Sequence, residues 1–219
     1  MGSDAWQRWL SWAWPVRMAQ VEGRHGTLEV RWENGRKVLN SPNGNQSFGS
    51  LHRVWQRVFQ DAGVQTAPPT NVLLLGLGGG SAVHILRREL GIAAPITAVE
   101  IDPAMVALAR EHFALDSMAA VTIVQGDAVI QVQALRERFD LIIVDLFDDL
   151  DLARGIDTMG FAHGLRERCT DGGKVLFNTV AHDPHSAARC ERVNQNLIRV
   201  FHAVDTIQLE EVNRVFVAR

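Results

Sequence analysis

Apolar and polar positions change rhythm at Asn71. Before it, residues 27–32 and 36–39 alternate apolar and polar side chains on either side of Glu33-Asn34-Gly35, and an Asn-Gly between two such runs predicts a β-hairpin. Residues 16–22 offer a third strand. A loop containing Ser41-Pro42-Asn43-Gly44 follows; Leu51, Val54, Trp55, Val58 and Phe59 then recur at helical spacing and predict a helix over 50–60. Residues 66–70, with Pro68-Pro69, close this stretch, so the chain is expected to divide into an N-terminal Trp-rich segment and hairpin module, 1–68, and a second unit, 69–219.

After Asn71 strand and helix patterns alternate. Residues 72–75 form an uninterrupted apolar run, as expected of a strand covered on both faces of a parallel sheet. Similar runs at 97–100, 121–125, 141–144 and 174–178 predict four more strands, with helices expected at 81–90, 103–113, 128–138, 158–168 and 185–200. That order predicts an α/β fold with a doubly wound sheet. Two alternating runs, 203–209 and 213–218, predict an antiparallel hairpin at its end.

The chemistry sits at the strand ends. Gly76, Gly78 and Gly80 follow the first parallel strand, and without Cβ atoms they permit positive φ and close approach of backbone N–H groups to a ligand at the start of the next helix. The dinucleotide fingerprint GxGxxG/A, started at Gly76, meets Ser81 where Gly or Ala is required, and started at Gly78 it meets Val83. The GxGxG present is the pattern of class I S-adenosylmethionine enzymes, so a sulfonium nucleoside is favoured over NAD. Glu100, ending the second strand, is placed to accept hydrogen bonds from both hydroxyls of a ribose, and Asp127, after the third, to meet an adenine amino group. Asp145 ends the fourth. Each acid alone reads as readily as a helix cap or a solvated loop; their recurrence after successive strands points to one crevice. With the terminal hairpin, the expected fold is α/β, a Rossmann-like class I methyltransferase sheet preceded by a small N-terminal β-hairpin module.

Composition narrows the field. A formal net charge of −3 lacks the broad positive field that nucleic-acid phosphates select for, so no nucleic-acid partner is expected. Cys169 and Cys190 have neither CxxC nor metal-ligand spacing, which predicts free thiols in a reducing, cytoplasmic setting, and no activating pattern makes either a nucleophile. No run of 18 apolar residues occurs and MGSDAWQRW lacks the basic and apolar regions of a signal peptide, so no membrane span is expected. All six tryptophans fall within the first 55 residues. Trp6, Trp9, Trp12 and Trp14 are expected to fold onto the main domain or a second subunit; attachment to a membrane surface is disfavoured because Arg8 is the single cation nearby. The run Asp145, Asp148, Asp149 and Asp151, with Asn178, offers oxygen ligands to a divalent metal, but a solvated loop is the preferred reading and no metal is expected. His182 and His185 offer a base near neutral pH, against the simpler reading that Asp183-Pro184 opens a helix. GxSxG and a P-loop lysine are missing, which argues against serine acyl transfer and nucleotide triphosphate hydrolysis.

VLLLGLGGGSA, VEIDP, GDA and FDLIIVDLFDD stand in the order and spacing of spermidine synthase-like proteins, and the chain resembles that family over roughly residues 27–219. The resemblance implies binding of decarboxylated S-adenosylmethionine, or S-adenosylmethionine in related branches, and transfer of an aminopropyl group to a small-molecule amine, a polyamine in the family. By position it makes Gly76, Gly78 and Gly80 the cofactor loop, Glu100 and Ile101 the ribose segment, Asp127 and Ala128 the adenine contact, Asp145 the general base and Asp148 the second acid of DxxD. It also implies a homodimer or homotetramer. The departures are specific. The family's DSSDP reads Asp145-Leu146-Phe147-Asp148-Asp149, and its GGGDGG loop has Gly79 in place of the acid that holds the aminopropyl ammonium. Gln46-Ser47-Phe48-Gly49-Ser50 stands where the polyamine-facing DE and Tyr are expected. These changes favour methyl transfer as the alternative; a nucleoside-binding protein without turnover is the second.

Overall fold

The computed structural model describes residues 3–41, 44–209 and 212–219; the loop predicted at Pro42 and Asn43 lies outside them. Four antiparallel strands, β1 (Val16–Gly23), β2 (Gly26–Glu33), β3 (Arg36–Asn40) and β4 (Asn45–Ser47), form a small sheet in that order. The predicted hairpin is β2–β3, turning through Asn34 at φ 49° and Gly35 at φ 74°, the left-handed pair that matches strand twist. The short β4 and the helix α1 (Ser3–Leu10) were not anticipated. Beyond α1 the chain folds back on the hairpin: Ser11 accepts from the amides of Asn34 and Gly35, and the Trp12 indole lies against Gly35. The expected burial of the Trp cluster does not occur within this chain, since Trp6, Trp9, Trp12 and Trp14 are 55%, 76%, 69% and 75% exposed.

Helix α2 (Ser50–Asp61) buries Val54, Trp55, Val58 and Phe59 on one stripe. These side chains join the core beneath the main sheet, alongside Val72, Leu74 and Ile143. The main sheet has seven strands, in the order β12-β13-β11-β8-β5-β6-β7. Its parallel part is β5 (Val72–Leu75), β6 (Ile96–Glu100), β7 (Val121–Gln125), β8 (Phe139–Val144) and β11 (Cys169–Val180); β12 (Val204–Leu209) and β13 (Asn213–Ala218) complete it antiparallel, as expected. Helices α3 (Ser81–His84), α4 (Pro103–Phe113), α5 (Ala128–Ala134), α6 (Met159–Arg168) and α7 (Pro184–Val200) connect the strands. Leu28, Val30 and Leu39 of the small sheet pack on Met105, Leu108 and Phe113 of α4, which sets the N-terminal strands over the carboxyl ends of the large sheet.

Several boundaries differ from expectation, among them the strand expected at 174–178, which runs from Cys169 to Val180. The helix expected over 81–90 is α-helical only to His84 and continues as a π-turn, Ile85–Glu89. The helix expected over 128–138 stops at Ala134, because the chain must extend to enter β8 at Phe139; Arg138 then donates to the Cys169 carbonyl. The run after β8 forms a short hairpin of β9 (Phe147–Asp148) and β10 (Asp151–Leu152), with Asp149 at φ 62° in its turn.

Candidate active site

The ends of β5, β6, β7 and β8 open into a cleft of about 580 Å³. In open α/β sheets this edge, where connections diverge to opposite sides, is where ligands bind. Gly76, Gly78, Glu100, Ile101, Asp127, Ala128, Asp145 and Asp148 all line the cleft. Gly80 does not line it: at φ 91° it starts α3 behind the loop. Gly76 also has φ 91°, and a Cβ there would stand 2.0 Å from the Asp145 carbonyl oxygen. Only glycine lets the two strand ends approach that closely.

Glu100 is buried and takes three backbone donors. Its Oε2 accepts from Leu77 and Gly78 at 3.0 and 3.2 Å, and its Oε1 from Asp102 at 2.9 Å. Burial pushes its carboxyl above the usual range against the pull of those N–H groups. A carboxylate offers about four acceptor sites, so loop bracing and any ribose contact would share the same two oxygens. Asp102 caps α4 by accepting from Ala104 and also accepts from the Arg24 amide at 2.7 Å, tying the β1–β2 turn to the cleft. Asp127 caps α5, accepting from Val129 at 2.8 Å.

Asp145 is held by side chains. Its Oδ2 accepts from the Trp55 indole at 2.8 Å and its Oδ1 from the Asn178 amide at 2.9 Å. Burial raises its pKa, with those two donors opposing. Asp148 Oδ1 lies 3.4 Å from His25 Nε2, and Asp149 accepts from the Ser41 hydroxyl at 2.6 Å. Trp55 and His25 as site residues were not found in the sequence; no local spacing marks them.

The remaining candidate groups take up the following contacts. Asp183 caps α7 in a capping box with Ser186, so Asp183-Pro184 opens a helix. Both cysteines are buried and free, and burial lifts the Cys169 thiol to about 11, far from a reactive thiolate. Among the described residues, the His, Cys, Asp and Glu groups whose ligand atoms converge are His52, His84 and Glu89, not the acidic run. Gly79 is covered: its amide donates to Ser47 Oγ at 2.6 Å, and a Cβ would lie 2.8 Å from the Ser47 Cβ.

A profile described as a methyltransferase domain matches residues 72–160. The Drosophila melanogaster protein "eEF1A lysine and N-terminal methyltransferase homolog" is 30% identical over 214 residues, which are 89% of this chain and 30% of that protein. A polyamine aminopropyltransferase of Chromobacterium violaceum is 30% identical over 126 residues, 57% of this chain and 48% of that one. The chain therefore spans less than half of either relative. A spermidine synthase solved with the transition state analogue AdoDATO superposes with a TM-score of 0.76 at 14% identity, covering 93% of this chain and 73% of that one. The chain has the class I methyltransferase fold and is similar to spermidine synthases and polyamine aminopropyltransferases. Within that spermidine synthase-like fold, the long reach from Trp55 to Asp145 and from Ser47 to Gly79 comes from the N-terminal strands and α2 closing over the sheet edge.

Proposed function

We propose that this protein is a transferase that moves an alkyl group from the sulfonium of S-adenosylmethionine, or of its decarboxylated form, to an amine acceptor. The observation that carries the proposal is Asp145, fixed by Trp55 and Asn178 on the wall of the cleft that Gly76 and Gly78 open. The residues present fit such a nucleoside. The glycine turn leaves backbone room that a Cβ at Gly76 would fill, and about 580 Å³ lies within the usual range for small-molecule sites. When bound, the sulfonium supplies an electrophilic carbon whose bonding pair to sulfur departs with the neutral thioether.

The chain's own groups would then act on the acceptor. An ammonium carries no free pair, so the amine must lose a proton before it attacks. The Asp145 carboxylate accepts that proton; its raised pKa makes it a stronger base than an ordinary aspartate. Asp148 gives a second anionic contact for a cationic acceptor. Glu100 braces the loop by holding the Leu77 and Gly78 amides, and Asp127 and Ala128 stand at the adenine end.

Aminopropyl transfer is supported by Asp145 and Asp148 and by the aminopropyltransferase relatives. Methyl transfer is supported by one specific contact. Ser47 occupies the space over Gly79, so an acid at that position has no room, and the carboxylate of intact S-adenosylmethionine meets no anion there. We favour the methyl donor on that ground. Titration calorimetry with each nucleoside separately decides it. Tighter binding of S-adenosylmethionine is the expected result, tighter binding of the decarboxylated form reassigns the reaction to aminopropyl transfer, and binding of neither removes the proposal.

A further inference from the structure

On the face of α2 away from the cleft, two histidines and a glutamate turn toward one point. His52 Nε2 lies 2.7 Å and His84 Nδ1 3.5 Å from the same oxygen, Glu89 Oε1. All three ligand atoms fall within 4.8 Å of one another. We propose that His52, His84 and Glu89 form a binding site for one divalent transition-metal ion of the zinc type, clamping α2 to the helix that follows the glycine loop.

The backbone is shaped for it. Five residues make 500° of ordinary α-helix, so side chains at 84 and 89 would diverge by about 140°. The π-turn Ile85–Glu89, closed by i to i+5 bonds such as Leu90 N to Ile85 O, widens the helix and brings both onto one side. His52 then meets them from α2. Two imidazoles and a carboxylate are the donor set that zinc-type ions take, and ligands about 2.0–2.2 Å from a tetrahedral ion stand roughly 3.4 Å apart. The His84–Glu89 separation of 3.5 Å is close to that value, and the His52–Glu89 separation of 2.7 Å would have to open by under 1 Å to reach it.

The surroundings suit an ion better than an ion pair alone. His84 Nδ1 is buried without a hydrogen-bond partner among the described residues. Gln56 donates to Glu89 Oε2 at 2.7 Å, which fixes the carboxylate and leaves Oε1 pointing at the histidines. Phe48 stacks on His52 at 5.4 Å and fixes its ring plane. A second cleft of about 760 Å³ leads to the site and gives an ion entry.

The test uses the untagged chain, stripped with EDTA and dialysed against Zn²⁺ with metal analysis, and in parallel Co²⁺ read by its visible absorption. One tightly bound ion with the absorption of a four-coordinate nitrogen and oxygen site is expected. His84→Ala and Glu89→Gln, both at partly exposed positions, should each weaken binding ~10-fold or more, while His202→Ala on a distant exposed turn should not. Circular dichroism checks that each variant is folded. Absence of a bound ion in the wild type, or His84→Ala and Glu89→Gln binding as tightly as it, overturns the proposal. So does an equal loss in His202→Ala. None of these readouts depends on transferase activity.

Discussion

At the end of β6, Glu100 is gripped by the backbone, with the amides of Leu77, Gly78 and Asp102 converging on its two oxygens. At the end of β8, Asp145 is gripped by side chains, an indole from α2 and an amide from β11. Both acids are pushed above their usual pKa by burial, and both stand on the same cleft. The difference lies in what each grip costs to undo. Backbone donors cannot leave without unmaking the glycine turn, so Glu100 belongs to the scaffold as much as to any ligand. Side-chain donors can be exchanged one at a time, which suits Asp145 to the proton-accepting role proposed for it. Under the proposed function, equivalent positions on the two strands that flank β5 thus divide between building the site and working in it.

The largest separation between the two should appear in Asp145→Asn. Loss of the base is expected to lower kcat by ~10²–10⁴-fold while nucleoside binding, measured by calorimetry, is retained. Stability should fall by at most about 1–3 kcal/mol, because the Asn amide keeps one acceptor and leaves either the Trp55 or the Asn178 donor without its partner, a loss that is partly offset. A carboxyl whose pKa is raised by folding disfavours the ionised native state at neutral pH, so removing the charge lifts that penalty. Unchanged activity in this variant would take Asp145 out of the proton-accepting role.

Glu100→Leu should reverse the pattern. Three buried N–H groups lose their acceptor, at about 1–3 kcal/mol in all once partial hydration through the cleft is allowed. The urea midpoint is expected to drop with an unchanged slope, and nucleoside binding to weaken with it. Retention of both midpoint and binding would mean that the glycine turn holds itself and that the contrast between the two strand ends is false.

How far the sequence reaches follows the same division. The parallel strands are legible because runs such as 72–75 and 141–144 are apolar throughout, and the turn at Gly76 is legible because a strand feeding three glycines has few other uses. The acids at strand ends are legible through their regular spacing. Their partners are not. Trp55 lies 90 residues from Asp145 and reads as one more member of a helix's apolar stripe; nothing local separates an indole that packs from one that also donates. Ser47 lies 32 residues from Gly79, on a three-residue strand too short to show a period. The π-turn that aligns His84 with Glu89 leaves no mark on the hydrophobic pattern, which continues helically through Ile85 and Leu86. Spacing reports the backbone an element adopts, and contacts between elements are decided by how those elements pack.

The finest test of the comparison is Trp55→Phe. The ring is fully buried, so the variant loses some packing, but the decisive readout is the pH dependence of kcat. In the native protein burial raises the Asp145 pKa, and the indole N–H and the Asn178 amide pull it partway back by favouring the ionised form. Deleting the N–H removes one of the opposing pulls, so the pKa rises further. The acid limb of the profile, where the carboxylate is lost to protonation, should therefore move to higher pH, with the plateau reached once the group is again ionised. Asn178→Ala should move it the same way, whereas Glu100→Leu, acting through backbone, should lower binding without displacing the limb. A limb that stays in place in Trp55→Phe, or moves to lower pH, would mean that the indole does not touch the working carboxylate. Asp145 would then be held as rigidly by its strand as Glu100 is by its loop.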